Sequence, residues 1–143
     1  MSQYLNIYIK VKGQDKPLFF TQYSRNSEVY DIVCEEMVVP YSSDGNTYCD
    51  LTCMALSDCL AGLEAINKTI EQKIATRMKA LVHTKDQKVA GSIIEELDEH
   101  RKYISEMDEE IEEISHLLWI ARQIADCKSY SWGDFEGLMA NIG

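Results

Sequence analysis

Two long runs of apolar residues, spaced alternately by three and four positions, constrain this chain more than any other feature. Heptad spacing of this kind places the apolar side chains on one stripe of a helix, where a second helix can cover them. The first run follows a predicted cap at Thr52 and extends to residue 81, and the second covers residues 93–121. The break between them contains Thr84 and Gln87 at the spacing of a capping box. The sequence therefore predicts two antiparallel helices joined by a short turn.

Polar residues interrupt this predicted seam. Asn67 lies on the first helix and His100 on the second. If the chain folds back near His83 and Thr84, Asn67 faces His100 across the seam. Because a polar seam residue often specifies register at some cost in stability, we expect this pair to set the register. The minority interpretation is a pH-sensitive contact.

Residues 1–51 have the pattern of a small β-rich head. Apolar residues alternate with polar ones from Leu5 to Val11, as in a half-buried strand. The segment "GQDKP" predicts a turn, residues 18–23 a returning strand, and Ser27 the cap of a short helix. Asp44-Gly45 predicts a second hairpin within residues 38–52.

The C-terminal segment 128–143 is too apolar to be a free tail. Ser131 is placed to cap a helix. Apolar residues follow it at helical spacing: Trp132, Phe135, Leu138, Met139 and Ile142. We therefore predict a short C-terminal helix that packs on the head or on a neighbouring chain.

These patterns predict a single α+β domain over residues 1–143. Its parts are a β-rich head with a small antiparallel sheet and a short helix (1–51), a coiled-coil helical hairpin (52–127) and the C-terminal helix (128–143). Near the end of the hairpin, "LLWIA" is apolar on every side, as in a helix buried on several faces. We expect the sheet to pack there, around Trp119 and Ile120.

The charge is concentrated on the second long helix. The chain carries a net charge of −10, which argues against binding nucleic acid through its phosphates. Ten acidic residues lie between Glu95 and Glu113. They are interpreted either as an ordinary solvated helix face, which we favour, or as a surface that docks on a basic partner. The candidate interaction residues are Glu109, Glu110, Glu112, Glu113, Tyr103, Trp132 and Phe135.

No motif predicts a catalytic, cofactor or metal site. Glu113 and His116 have the Glu-x-x-His spacing of di-iron helical bundles, but the heptad pattern places both away from the seam. Cys49 and Cys53 lack the second ligand pair of a zinc site, and they lie on the apolar stripe. We interpret them as core residues.

The predicted location is the cytoplasm, without membrane insertion. The longest apolar run falls well short of a membrane-spanning segment, and the N-terminus lacks the pattern of a signal peptide. Five cysteines without an export signal are expected to be free thiols.

The leading functional hypothesis is a non-enzymatic interaction or scaffold protein that acts through its hairpin as a homo-oligomer. The first alternative is a small acidic inhibitor or adaptor, of the kind found among phage and mobile-element accessory proteins, that docks on a basic protein surface. The second alternative is a ligand-binding protein or enzyme with its site at a subunit interface.

Overall fold

The computed structural model describes residues 3–42, 46–126 and 134–143. They form an α+β fold, as predicted. Its elements in chain order are β1 (Tyr4–Val11), β2 (Leu18–Ser24), α1 (Glu28–Glu36), β3 (Cys49–Leu51), α2 (Cys53–His83), α3 (Gln87–Asp126) and β4 (Phe135–Ile142).

The four strands form one antiparallel sheet in the order β2-β1-β4-β3. The alternation predicted for β1 is confirmed, because Leu5 and Ile7 are fully buried while Lys10 is exposed. β2 returns beside β1 with an irregularity next to Tyr8, where one residue of β2 has no partner. Ser27 caps α1 as predicted, its hydroxyl accepting a hydrogen bond from the backbone N–H of Val29.

The predicted hairpin within residues 38–52 is wrong. β3 pairs with β4, and the only strand-like contact of residues 38–42 is a parallel bridge from Tyr41 to Ile142. Asp44-Gly45 itself lies outside the described residues. Residues that favour a turn act only on their immediate neighbours in the chain. β3 and Tyr41 instead pair with the edge of β4, a long strand that is distant in sequence.

The predicted C-terminal helix is also wrong. Residues 135–142 form β4, between β1 and β3 in the sheet. Leu138, Ala140 and Ile142 are buried at a spacing of two, as a strand requires. The apolar residues of this segment fit the spacing of a helix as well as that of a strand. Antiparallel pairing with β1 along most of the length of β4 decides for the strand. The proposed Ser131 cap and Trp132 lie outside the described residues.

The two long helices are present, and Thr52 caps α2 through a 3.1 Å hydrogen bond from the N–H of Ala55. The predicted capping box at the turn is not formed. Instead, Asp86 Oδ1 accepts from the N–H of Lys88, and the Thr84 hydroxyl donates to the carbonyl of Ala80. At about 1.5 Å per residue, the 40 residues of α3 extend roughly 60 Å.

The predicted register of the hairpin is wrong by about one heptad. Asn67 Nδ2 donates to Asp108 Oδ1 at 2.9 Å, so Asn67 lies opposite Asp108 instead of His100. His100 Nε2 lies 3.8 Å from Oε1 of Glu96, which is on the same helix. The turn at residues 84–86 lies slightly later in the chain than assumed, which accounts for part of this shift, because each residue of displacement moves the facing position on α3 by two.

The main core lies where the sheet, α1, the first half of α2 and the second half of α3 meet. Six of the nine seam residues predicted on α3 are buried: Ile93, Leu97, Met107, Ile114, Leu118 and Ala121. The other three, His100, Ile104 and Ile111, are half-buried. Ile120 also belongs to this core, as expected, but Trp119 is 52% exposed. α1 packs against both long helices, which leaves the half of the hairpin near the turn with only two helices.

Candidate interaction surfaces on the hairpin

Glu110 of α3 caps the N-terminus of α1. Its Oε1 atom accepts two 3.0 Å hydrogen bonds, one from the hydroxyl of Ser27 and one from the backbone N–H of Glu28. A carboxylate is favourable there because the first N–H groups of a helix lack partners within the helix and carry partial positive charge. Burial raises the pKa of Glu110, although the two hydrogen bonds oppose this shift. This acid therefore has a structural role.

Two tyrosines add further bonds between α3 and the head. Tyr103 donates its hydroxyl to Glu28 Oε1, and Tyr23 of β2 donates to Glu113 Oε2, both at 3.1 Å. Burial, together with the neighbouring glutamates, raises the pKa of Tyr103 to about 12 and raises that of Tyr23 as well. Three of the predicted interaction residues, Glu110, Glu113 and Tyr103, thus hold the head to the hairpin.

The remaining acids on this part of α3 border a cleft beneath β2. The cleft has a volume of about 550 Å³. It is lined by Phe20 and Thr21 of β2 and by Glu109, Glu112, Glu113, His116 and Leu117 of α3. We call it the β2 cleft. Glu109 and Glu112 have exposed side chains, so their charges are accessible to a partner.

The Glu113–His116 pair does not form a metal centre with its neighbours. Both side chains are exposed, and the His116 ring lies 6.3 Å from that of Trp119. Over residues 3–42, 46–126 and 134–143, no group of three or more His, Cys, Asp or Glu side chains is placed to hold a metal ion. The geometry thus supplies no ligand set for metal chemistry in this part of the chain.

A second, apolar groove lies near the turn of the hairpin. It has a volume of about 360 Å³. Its lining comes from both long helices: Met78, Lys79, Leu81, Val82, Ile94, Leu97, Asp98 and Arg101. We call it the tip groove. Val82 is 80% exposed, and Met78 and Ile94 are also exposed, because two helices alone cover only one side of each other.

The other residues that were predicted to make interactions or to set the register are less accessible or lie outside the described residues. Phe135 is half-buried in β4, opposite Val11, and packs against the core. Trp132 is outside the described residues. Asn67 is part of the seam, but its Oδ1 atom is buried without a hydrogen-bond partner.

The four described cysteines are free thiols. Cys59 is fully buried, and its Sγ atom donates a weak hydrogen bond to the carbonyl of Ile32. Burial raises the pKa of Cys59 to about 12 and also raises the pKa values of Cys34 and Cys49. Since the thiolate is the nucleophile and the metal ligand, these environments favour a structural role.

The outer face of the sheet carries an aromatic cluster that the sequence interpretation missed. Tyr8 makes edge-to-face contacts with Phe19 and with Tyr48, at centroid distances of 5.8 and 5.0 Å. The alternation of β1 did place Tyr8 on the face away from the core. The partners could not be inferred, because they depend on the β2 register and on the path of the chain before β3.

Comparisons with known proteins return no match: no family model, curated protein or solved structure resembles the chain. Among the helices that the structure describes, none is both long enough and apolar enough to cross a membrane. The surfaces themselves are therefore the basis for assigning a function.

Proposed function

We propose that this protein is a non-enzymatic interaction or scaffold protein that self-associates through the tip groove of its helical hairpin. The observation that carries the proposal is the exposed apolar lining of this groove. Large apolar side chains gathered at one exposed place are typical of protein–protein contacts, whereas single ones are not. Met78, Val82 and Ile94 come from both helices and surround a single concave surface.

A second copy of the hairpin suits this groove in its charges as well as in its apolar side chains. The groove is bordered by Lys79 and Arg101 and also by Asp98. In a two-fold symmetric dimer each copy presents the same patch, so the bases of one copy can pair with the acid of the other. Packing two hairpins together would form a four-helix arrangement and bury the apolar stripe that each leaves exposed.

The oligomeric state tests the proposal. Sedimentation equilibrium of the full chain should give a mass above the 16.4 kDa of one copy at micromolar concentration. Val82→Glu should weaken association at least tenfold, because it buries a charge in the interface. Met54→Glu is a matched control, since Met54 is 76% exposed on the same helix but outside the groove. A parent protein that stays monomeric at high micromolar concentration overturns the proposal.

A second candidate function is that of an acidic inhibitor or adaptor that docks on a basic protein. The observation in its favour is the β2 cleft, where Glu109 and Glu112 remain exposed beside a concave surface. Binding of this kind should weaken steeply with added salt, whereas apolar self-association should not. For either function we propose a cytoplasmic location, supported by the four free thiols, because disulfides are rare in reducing compartments.

A further inference from the structure

β2 is a sheet edge whose own sequence offers little protection against pairing, apart from the irregularity beside Tyr8. Of the described strands only β1 pairs with it, so its other edge presents backbone N–H and C=O groups. Edge strands are commonly protected by charged residues or proline within the strand. β2, with the sequence LFFTQYS, contains neither, and Phe19 is 58% exposed. An edge of this length and composition is suited to receiving another strand.

The surroundings of this edge differ on the two faces of the sheet. On the core-facing side, Thr21 and Phe20 border the β2 cleft with its acids Glu109 and Glu112. On the outer side, Phe19 packs edge-to-face on Tyr8. Because side chains alternate along a strand, one set from an added strand would point toward the acids and the other toward the aromatic cluster.

From this geometry we infer that β2 binds an extended segment of a partner protein that carries lysine or arginine at alternate positions with apolar residues between them. The segment adds to the sheet as a fifth strand. Its basic side chains enter the β2 cleft, and its apolar side chains cover Phe19. Main-chain hydrogen bonds supply affinity, and the acids of α3 select the sequence.

A second copy of this chain fits the edge poorly. Pairing β2 with the β2 of another copy would bring two acidic clefts together. Glu109, Glu112 and Glu113 of each copy would then repel their counterparts, in a chain whose net charge is already −10. Binding at this edge is therefore independent of self-association at the tip groove, and the two can fail separately.

The probe for the test is a fluorescein-labelled decapeptide of alternating lysine and valine, and its binding to the full chain is followed by fluorescence anisotropy. We expect saturable binding that Glu109→Gln with Glu112→Gln weakens about two- to thirtyfold, as the loss of two exposed charge pairs implies. Glu95→Gln with Glu99→Gln is the matched control. It removes two exposed acids from the same helix but outside the cleft, and should leave binding unchanged.

A second peptide tests the strand pairing itself. N-methylation of every second residue removes the N–H donors along one edge of the probe and should abolish binding, while its charge stays the same. If the methylated peptide binds equally well, or if the control variant weakens binding as much as the cleft variant, the inference is wrong. The inference is also wrong if no saturable binding occurs at millimolar peptide. It is likewise wrong if the Val82→Glu variant still forms a dimer and the peptide dissociates that dimer, because a second copy would then occupy the edge.

Discussion

Oε1 of Glu110 lies 3.0 Å from the backbone nitrogen of Glu28, so a carboxylate in the middle of α3 accepts a hydrogen bond from the first residue of α1. The two residues are 82 positions apart in sequence. A cap supplied from such a distance joins α1 to α3, two elements that are far apart in the chain. It also shows that an acid on an apparently solvated helix face can be part of the structure.

The Glu110 cap should depend on its acceptor oxygen more than on its charge. Glu110→Ala removes the acceptor and should lower the free energy of unfolding by about 0.5–2 kcal/mol, as loss of other helix caps does. Glu110→Gln keeps an oxygen in place, and since burial raises the pKa of Glu110, losing the charge should leave stability unchanged or slightly higher. Urea denaturation of both variants, with Glu109→Ala as an exposed control, measures this. If Glu110→Ala and Glu109→Ala lower the free energy of unfolding by the same amount, the cap does not contribute to stability.

Truncation of seam residues should destabilise the protein according to their burial. Ile114 is fully buried, and Ile114→Ala should lower the free energy of unfolding by about 2–5 kcal/mol. Ile111 and Ile104 are half-buried, so their alanine variants should show smaller losses in the same direction. Ile94→Ala removes an exposed side chain of the same kind from α3, and thermal or urea unfolding at low protein concentration should show little change. If Ile94→Ala proves the most damaging of the four, the hairpin faces are assigned the wrong way round.

Stability should fall at alkaline pH as the half-buried phenols of Tyr103 and Tyr23 ionise. The pKa of Tyr103 is raised from 10.0 to about 12, so the folded state holds this proton more tightly than the unfolded state. The resulting stability is fully present below the unfolded pKa and is lost as pH rises from about 10 to about 12. Tyr23, whose pKa is also raised, contributes in the same direction. Tyr103→Phe should therefore flatten the decline of the unfolding midpoint over this range. An unchanged slope would contradict the raised pKa that burial and the Glu28 contact give Tyr103.

The buried thiol of Cys59 should react with a disulfide reagent only when the protein opens. At neutral pH Cys59 should be the slowest, because it is fully buried and its pKa is about 12. Titration with 5,5′-dithiobis(2-nitrobenzoate) in a Cys127→Ser background should give slow phases in native buffer and rapid reaction of all four thiols in denaturant. If the slowest phase is missing in the Cys59→Ala variant, that phase is the reaction of Cys59. Rapid labelling of Cys59 in the native protein would place it outside the core.

The sequence by itself determined the elements whose signals are local and periodic. Leu5 and Ile7 identify β1 because residues two apart share one face of a strand, and the heptad rows of α2 and α3 identify the hairpin because residues three and four apart share one stripe of a helix. The caps at Ser27 and Thr52 could be predicted for the same reason, since a cap bonds to residues two or three positions away.

Only the tertiary structure decided the relationships between residues distant in the chain. Residues 135–142 fit a helix and a strand about equally, and the pairing of β4 with β1 and β3 selected the strand. The packing of α2 against α3 gave a hairpin register in which Asn67 meets Asp108. The path of α1 across α3 assigned Glu110 to a cap and left Glu109 and Glu112 exposed beside β2. Local spacing predicts which face of an element a side chain occupies, but the neighbour that meets this face depends on packing and pairing across the whole chain.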